Sequence, residues 1–517
     1  MRCSEEWGER TRRHQETLRQ ELLADQTRPI VERKQQKPVL PNRLNNKGSV
    51  EKEKEDFQKT MENAAAVYRQ MLPSLLNDLS KIKDPRQPGK VKHKITVLMA
   101  YGIATFVFMI DSRREANRVM NSITFENLRA IFPELETLPH ADTLARLLEK
   151  MNVKQIQDCM ITLLKDLIHR KKFRSYLIHH RLLIAIDGTQ KFYRYYQWDP
   201  KEGGLVRHVG KEGEEQHYVY VLESVIVLSN GITLPFYSEF LTAKDMPADS
   251  ENNTGETLKQ DCERTAFRRL AEKIKKNFRN TSITILADGL YACGPVLQIC
   301  NRYHWGFLIN LKPKALPSVW DEALSLMLLE KGNRLRAQWG NRMQDYLWAN
   351  GIEYEYRDGN SYVPHILRLN VALCHETWTE EHPRSTGETE QCETWYSWLS
   401  STPLNRDNVF ERCTKMARFR WKIENGILTE KHQGYSYEHC FSYTWNAMEG
   451  YHYLMKIGHL LNVLAVNSEL LHDQVEDLGI RGFIQKIWTI CHTTFLDMER
   501  IQSAVASLKQ WRLVPAA

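Results

Sequence analysis

Residues 182–189 read Leu-Leu-Ile-Ala-Ile-Asp-Gly-Thr, and this stretch decides the fold that the sequence predicts. Its apolar residues follow one another without the alternating polar side chains of a half-exposed strand. A short continuous apolar run is typical of a strand that is buried on both faces of a sheet. The run stops at Asp187. The sequence therefore predicts a carboxylate at the carboxyl end of a buried strand, the edge at which α/β sheets bind ligands.

A second stretch of the same kind lies at 282–288, where Ser-Ile-Thr-Ile-Leu-Ala precedes Asp288. Between the two stretches, apolar segments on either side of Ser229-Asn-Gly231 predict a hairpin. An amphipathic helix is predicted at 257–278, and a short helix and a strand follow Asp288. This order of elements is that of a ribonuclease H-like core. We therefore expect an α/β fold with a mixed five-stranded sheet and flanking helices.

The segments on either side of this core differ from it in composition and in hydrophobic pattern, and these differences predict further domains. Charged residues with few aromatic ones are typical of a mobile arm, and apolar residues at three- and four-residue spacing indicate a helical domain that would bind DNA. Short apolar runs between glycines indicate a β-rich insertion. The predicted segments are a mobile charged arm (1–60), a helical DNA-binding domain (61–180), the first part of the core (181–311), the β-rich insertion (312–403), the second part of the core (404–465) and a helical C-terminal segment (466–517).

The second part of the core contains a helix that carries charged residues beside an apolar stripe. At 100° per residue, Arg420, Glu424 and Lys431 fall within a narrow arc on the flank of that stripe. The stripe consists of Met416, Phe419, Ile423 and Ile427. Such a helix can pack on a core and direct one carboxylate and two cations at a shared point. A solvated charged face with pairs of opposite charge is the alternative explanation of this spacing.

Three carboxylates, Asp187, Asp288 and Glu424, are the candidate metal ligands and catalytic residues. A site with oxygen ligands only suits Mg²⁺ or Mn²⁺ rather than zinc. Two such ions, about 4 Å apart, stabilise the attacking and leaving oxygens of a phosphoryl displacement. Arg420 and Lys431 would bind phosphates beside the scissile bond.

Asp187-Gly-Thr, Asp288-Gly-Leu-Tyr and the spacing of Arg420, Glu424 and Lys431 resemble the DDE transposases of bacterial insertion sequences. The most similar group has a Tyr-Arg-Glu-Lys signature and a β insertion before the glutamate. One position departs from this signature, because Ala417 stands where the group has tyrosine. Tyr435 or Tyr437 could replace that tyrosine at the DNA backbone.

The resemblance implies metal-dependent strand cleavage at the ends of a mobile element and strand transfer into target DNA. It implies two metal ions per active site, double-stranded DNA as partner, and a homodimer or higher assembly on that DNA. Members with a β insertion often stack a flipped base on a tryptophan of the insertion, for which Trp339 and Trp348 are the candidates here. From the residues themselves, Lys191 and Arg194 lie in an aromatic and basic stretch, 191–198, that is suited to contact DNA or to pack as a surface loop.

The composition is that of a folded protein, and the excess of basic residues suggests a polyanionic binding partner. The chain has 517 residues and a net charge of +7, and its ten cysteines show no metal-ligand spacing and no disulfide framework. No signal peptide is recognisable, and the most apolar run, 95–110, is too short for a membrane span and predicts a buried helix. A cytoplasmic, nucleoid-associated protein without membrane contact is expected. Two other functions stay open, namely a nuclease of the same fold without strand transfer and an inactive DNA-binding regulator.

Overall fold

A computed structural model describes residues 12–21, 48–198, 205–209, 213–242, 255–357, 363–381, 389–507 and 510–514, without the side chains of 255–262 and 381. The protein is mixed α/β with a mixed sheet, as expected. It forms two compact units. The first unit contains the described residues of Met1–Pro38, Arg181–Asp187 and Lys259–Ile423, and the second contains those of Val39–His180, Gly188–Leu258 and Glu424–Ala517.

The first unit is built on a sheet in which a parallel part is followed by an antiparallel part. Strand order runs β1–β5–β6–β10–β9–β8–β7, with β1–β5 and β5–β6 parallel and the remaining pairs antiparallel. The strands are β1 (Leu182–Arg194, of which Leu182–Asp187 belongs here), β5 (Ile283–Ala287), β6 (Gly306–Asn310), β7 (Arg334–Trp339), β8 (Arg342–Tyr356), β9 (His365–Glu381) and β10 (Thr389–Ser400).

The helices of the first unit include one from the N-terminal part of the chain. Leu18 of that helix is buried, and Arg19 pairs with Glu393 of β10 at 3.0 Å. The helices are α1 (12–21), α9 (Gly255–Asn277, from Lys259 onward), α10 (Gly294–Arg302) and α11 (Pro317–Leu329). The arm that the sequence predicts over 1–60 thus contains a docked helix, and its other residues up to 47 lie outside the described ones.

The second unit is mainly helical. Its helices are α2 (Val50–Tyr68), α3 (Leu72–Ser80), α4 (Ile95–Val107), α5 (Arg113–Val119), α6 (Ser122–Leu128), α7 (Ala141–Leu148), α8 (Lys154–His169), α12 (Trp421–His432, from Glu424 onward), α13 (Trp445–Val466), α14 (His472–Thr493) and α15 (Met498–Ser507). Its strands are the end of β1, β2 (Leu205–Val209), β3 (Glu214–Val227) and β4 (Thr233–Phe240).

Helix α13 forms the centre of the second unit, where it packs against α4, α7, α8 and β4. Nearly all of its side chains are buried, and so are those of α4, which confirms the buried helix predicted for 95–110. The two helices approach closely at Gly458, where a Cβ atom would lie 2.7 Å from the Cβ of Phe106 and 3.0 Å from its backbone carbon. No helix among the described residues has an apolar run long enough to cross a membrane.

Several predicted elements are confirmed. The hairpin is present as β3 and β4, with Gly231 of its turn in the left-handed region at φ 84°. The predicted β-rich range 312–403 contains the four strands β7 to β10. The first part of that range forms α11 instead, because Pro317 begins a helix whose apolar residues Val319, Trp320 and Ala323 are buried.

Strand β1 differs from its prediction, because it does not end at Asp187. It continues through Gly188 to Arg194, over a segment that includes Thr189, Phe192 and Tyr193. Residues of these types favour strands. Asp187 is therefore an interior residue of a long strand, and the argument from a strand end applies to Asp288 alone. Helix α2 likewise begins before the predicted boundary at 60, because Ser49 caps it by accepting a hydrogen bond from the Lys52 N–H.

Candidate active site

The register between β1 and β5 relates the two aspartates. These parallel strands pair Leu182 with Ile283 and Ala185 with Leu286. The same register continued for two residues sets Asp187 opposite Asp288. Neighbouring strands lie about 4.8 Å apart, and paired residues direct their side chains to the same face of a sheet. The extended register thus predicts neighbouring positions for the two carboxylates, and both side chains are partly accessible to solvent.

The chain after Asp288 is held by short-range contacts within the first unit. The Asp288 carboxylate accepts a hydrogen bond from the Leu290 N–H at 3.0 Å and so caps a 3-10 turn, Gly289–Tyr291. The Tyr291 ring is buried and packs 5.8 Å from the ring of Phe267. Its hydroxyl donates to the buried Glu263 carboxylate at 3.2 Å. Tyr291 thus fixes the far end of the turn to α9.

Two irregular turns lead into the helix that carries Glu424. A π turn, Glu411–Met416, is followed by a 3-10 turn, Ala417–Arg420, and the second turn packs on β5 and β6. The chain thus enters α12 beside the strand that leads to Asp288. Arg420 is 5 % exposed, and its guanidinium lies 4.8 Å from the centre of the Trp421 ring.

Arg418 ties the 3-10 turn to the antiparallel strands. Its guanidinium binds the fully buried Glu376 of β9, and it lies over the rings of Trp339 at 4.7 Å and Tyr396 at 4.4 Å. Arg342 also binds the Glu376 carboxylate. Cation–π and charge-assisted contacts of this kind are stronger when they are shielded from water. Arg418 is thus a structural residue that sequence reasoning missed.

Glu424 lies in the first turn of α12 and is partly exposed. The border between the two units falls between Ile423 and Glu424, so Asp187 and Asp288 belong to the first unit and Glu424 to the second. The β1–β5 register bears on the relative positions of the two aspartates, whereas Glu424 belongs to the other unit. Convergence of all three carboxylates stays a prediction.

The two predicted phosphate-binding cations of the helix have different surroundings. Lys431 is mostly buried, and its Nζ lies 2.9 Å from a carboxylate oxygen of Glu438. Arg420 is buried and its guanidinium lies near the Trp421 ring. To contact a DNA phosphate, Lys431 would have to give up its ion pair with Glu438.

Glu430 of α12 belongs to a buried group of charges, of which sequence reasoning missed Glu430, Lys456 and His459. Its carboxylate lies 2.7 Å from Lys456 Nζ and 2.7 Å from His459 Nδ1, both on α13. Lys456 Nζ lies 3.0 Å from Glu223 of β3 as well. We call Glu223, Glu430, Lys456 and His459 the interior ion cluster. It fixes the second half of α12 against α13 and β3.

Burial and charge oppose each other in the interior ion cluster. Burial raises the pKa of Glu430, but the charge of Lys456 and hydrogen bonds from His459 outweigh it and lower that pKa to about 2. Burial lowers the pKa of Lys456, but the carboxylates of Glu223 and Glu430 more than compensate and raise it. Glu430 and Lys456 thus keep each other ionised in an apolar interior.

Lys191 lies at the edge of this cluster and not at the surface. Its Nζ donates to the Tyr437 carbonyl at 2.6 Å, and only 4 % of the residue is exposed. Burial lowers the pKa of Lys191 to about 8, although the charge of Glu223 acts against this shift. A contact between Lys191 and a phosphate would require this packing to open.

Arg194 is stacked among aromatic rings at the end of β1. Its guanidinium lies 3.3 Å from the centre of the Trp198 ring and 4.3 Å from that of Tyr196. It donates to the Gln197 carbonyl at 3.0 Å and to the Tyr443 carbonyl at 3.5 Å. Its contact with DNA stays a prediction.

The two candidate stacking tryptophans differ in exposure. Trp348 lies within β8 opposite Ala372 and is 2 % exposed, so its ring is enclosed by the protein. Trp339 ends β7 opposite Arg342 and is partly exposed beneath the guanidinium of Arg418. Of the two, Trp339 is the more exposed, and base stacking on it stays a prediction.

Neither tyrosine named as a replacement for the signature residue presents its hydroxyl to solvent. The Tyr437 hydroxyl donates to Glu223 at 2.8 Å, and the Tyr435 hydroxyl accepts from the Asn462 amide at 2.9 Å. Both side chains are fully buried. Ala417, at the signature position, is buried as well.

The donor set of the two aspartates suits a hard cation. Two carboxylates on one face of neighbouring strands supply oxygen ligands, which Mg²⁺ and Mn²⁺ prefer. Across the described residues, no three His, Cys, Asp or Glu side chains come together as a metal-binding group. Metal binding by Asp187 and Asp288, with Glu424 as third ligand, therefore remains a prediction.

One region of the chain matches a known family. Residues 76–164, which begin within α3 and end within α8, match the family described as DDE_Tnp_1-associated. This match points to a DDE-type transposase family and marks a transposase-associated domain in the helical part of the second unit. No curated protein matches the chain.

Proposed function

We propose that this protein is a DDE transposase that cuts DNA strands at the ends of an insertion sequence and transfers them to target DNA. The observation that supports the proposal is the β1–β5 register, which pairs Ala185 with Leu286 and, extended by two residues, would set Asp187 opposite Asp288. The match of residues 76–164 to a transposase-associated domain supports it.

The proposed core is ribonuclease H-like and of the Tyr-Arg-Glu-Lys group. Support comes from the parallel pairing of β1, β5 and β6 in the first unit and from the antiparallel β3–β4 hairpin in the second. The spacing of Arg420, Glu424 and Lys431 supports the group. In this proposal the strands β7 to β10 are the insertion, and the helices before β1 form the DNA-binding domain.

Glu424 is the proposed third ligand, and together with Asp187 and Asp288 it would hold two Mg²⁺ or Mn²⁺ ions. When bound, such ions stabilise the attacking and leaving oxygens of a phosphoryl displacement. The chain's own contribution is positional. Strand β1 fixes Asp187, the capped turn fixes Asp288, and the interior ion cluster holds the helix that carries Glu424.

Double-stranded DNA, both element ends and target, is the proposed partner, in a homodimer or larger assembly formed on it. Lys431, Arg194 and Arg420 are the proposed phosphate contacts, and Trp339 is the proposed base-stacking residue. The enclosed positions of Lys191 and Trp348 support structural roles for these two residues. A protein with these partners would act in the cytoplasm, at the nucleoid.

The test is cleavage and joining of DNA that flanks the reading frame, with both flanks on one labelled fragment. Asp187→Asn, Asp288→Asn and Glu424→Gln should each reduce cleavage by about 10³-fold or more, because ligands of one site act as a unit. Asp407→Asn is the matched control, since Asp407 is an exposed carboxylate outside the proposed site. Parent-like cleavage by Asp288→Asn would refute the proposal.

The same assay separates the two alternatives. Cleavage without joined products, when a pre-cut donor end is supplied, would identify a nuclease of the same fold. DNA binding with neither cleavage nor joining, in parent and variants alike, would identify an inactive regulator.

A further inference from the structure

Four tyrosines of the second unit each expose at least half of their surface. Tyr193, Tyr195, Tyr196 and Tyr443 are 50 %, 59 %, 54 % and 64 % exposed. Rings of Tyr193 and Tyr195 meet edge to face at 5.8 Å, and those of Tyr196 and Tyr443 lie 6.3 Å apart. We call these four residues the tyrosine patch. Large aromatic side chains left in water together are typical of a binding surface.

The tyrosine patch rests on a rigid base. Trp198 is 3 % exposed and packs against the rings of Phe192 at 5.9 Å and Trp445 at 5.3 Å. The Arg194 guanidinium lies on the Trp198 ring, and the Tyr196 ring lies on that guanidinium. The layers Trp198, Arg194 and Tyr196 thus hold an exposed ring in a fixed orientation, which lowers the entropic cost of binding.

A second support fixes the other side of the tyrosine patch. The Tyr195 hydroxyl accepts a hydrogen bond from the Gln216 amide at 3.4 Å, and Gln216 in turn accepts from Arg207 at 2.6 Å. Arg207 also lies over the Tyr218 ring at 4.9 Å. A second guanidinium therefore stands behind the exposed ring of Tyr195.

Two guanidinium groups belong to the surroundings of the tyrosine patch. That of Arg194 lies 4.3 Å from the centre of the Tyr196 ring, and that of Arg207 donates to Gln216, the residue that binds the Tyr195 hydroxyl. At the start of β3, the nearby Glu215 lies 3.6 Å from His217. Cations held among exposed rings favour a polyanion that also offers flat π faces.

We infer that the tyrosine patch binds unpaired nucleotides of a DNA strand, whose bases stack on the exposed rings while Arg194 and Arg207 supply positive charge. Bases of a closed duplex are stacked on each other and cannot reach a flat protein surface, whereas bases of a single strand can. The inference rests on the proposed function for the choice of DNA as the polymer.

The test measures binding alone, so that its outcome is independent of catalysis. A labelled thymidine oligonucleotide and a labelled duplex are titrated with the full chain in the presence of EDTA. Tyr196→Ala combined with Tyr443→Ala should weaken single-strand binding about tenfold or more and change duplex binding less than about twofold. The double replacement by phenylalanine, which keeps both rings, should bind like the parent.

Phe495→Ala is the matched control, because Phe495 is an exposed aromatic residue, 87 % accessible, between α14 and α15. Equal single-strand binding by the parent and by the double alanine variant overturns the inference. So does a change from dimer to monomer in the double alanine variant, since the surface would then serve a second copy of the chain. If cleavage fails while the tyrosine-dependent binding persists, the proposed function falls and this inference stands.

Discussion

Glu430 and Lys456 form an ion pair in the interior of the second unit, with 2.7 Å between the carboxylate oxygen and Nζ, and neither side chain is more than 4 % exposed. The pair connects the helix that carries Glu424 to the central helix α13. Charges are costly to bury unless they are paired and hydrogen-bonded. Here His459 and Glu223 complete the pairing, so the contact specifies one position of α12.

Replacing Glu430 by glutamine should therefore destabilise the protein. The variant leaves Lys456 with one carboxylate instead of two, and breaking a buried pair costs about 3–5 kcal/mol. The free energy of unfolding in urea measures the loss. Glu438→Gln is the control, since this exposed partner of Lys431 should change stability by about 1 kcal/mol at most. Equal stability of Glu430→Gln and the parent would contradict the role of the cluster.

Lys191 should give the protein a pH dependence in the alkaline range. Its pKa is about 8 in the folded chain against 10.5 for a free lysine, so the unfolded chain binds more protons between these values. The stability of the parent relative to Lys191→Met should rise from pH 8 to 10.5, by up to about 3 kcal/mol. This gain is complete above 10.5 and is lost as the pH falls through 8. Thermal unfolding of both proteins across this range is the measurement, and parallel curves would refute the prediction.

The Glu438 carboxylate should compete with DNA for Lys431. Glu438→Gln removes the partner at 2.9 Å and leaves the ammonium to neutralise a phosphate. Duplex affinity at low salt should increase about twofold to fivefold, and the salt dependence should steepen by about one charge. Lys431→Gln should have the opposite effect on both quantities. Weaker DNA binding by Glu438→Gln would remove Lys431 from the interface.

Replacing Arg418 by lysine should destabilise the protein. The planar guanidinium contacts Glu376 and lies over two rings, whereas an ammonium cannot stack in this way. Arg418→Lys should lose about 1–3 kcal/mol of stability and increase hydrogen exchange in the turn Ala417–Arg420. Arg368→Lys serves as the control, because the pair of Arg368 with Glu353 is exposed. Unchanged exchange in the turn would contradict the anchoring role.

Replacing either of two glycines of the second unit by alanine should change the free energy of unfolding, and the two changes should have opposite signs. At Gly458 a Cβ would meet the Phe106 backbone at 3.0 Å, so Gly458→Ala should cost about 1–3 kcal/mol. At Gly426 of α12 the nearest atom is the Thr233 hydroxyl at 3.7 Å, an ordinary contact. Gly426→Ala should therefore gain about 0.5–1 kcal/mol through helix propensity. Urea unfolding of both variants measures the difference. Destabilisation by Gly426→Ala would contradict the ordinary contact distance at this position.

The sequence predicted those parts of the protein in which local pattern and final burial agree. Apolar runs such as 182–186 become central strands whichever partner they meet, and Ser229-Asn-Gly231 forms a turn for local reasons. The length of β1 was not predictable in this way. Beyond Asp187 the residues Gly-Thr-Gln-Lys-Phe-Tyr-Arg show neither a continuous apolar run nor an apolar–polar alternation, so their pairing depends on distant strands.

Three members of the interior ion cluster, Glu430, Lys456 and His459, escaped prediction because they resemble surface residues. Glu430 follows Ile423 and Ile427 on the apolar stripe of its helix, and Lys456 stands within the apolar helix α13. A charged residue at a core-facing position is the signal that could have found them. Partners so far apart in sequence become recognisable only in the folded chain.

Asp187 and Asp288 differ in how much their backbones can adjust. Asp187 is an interior residue of β1, whereas Asp288 precedes a three-residue turn that is anchored at Tyr291. Any change in the spacing of the two carboxylates on ligand entry would therefore come from residues 288–290, with Asp187 as the stationary reference. In a series of structures with cations of different radius, the displacement should be confined to that short segment.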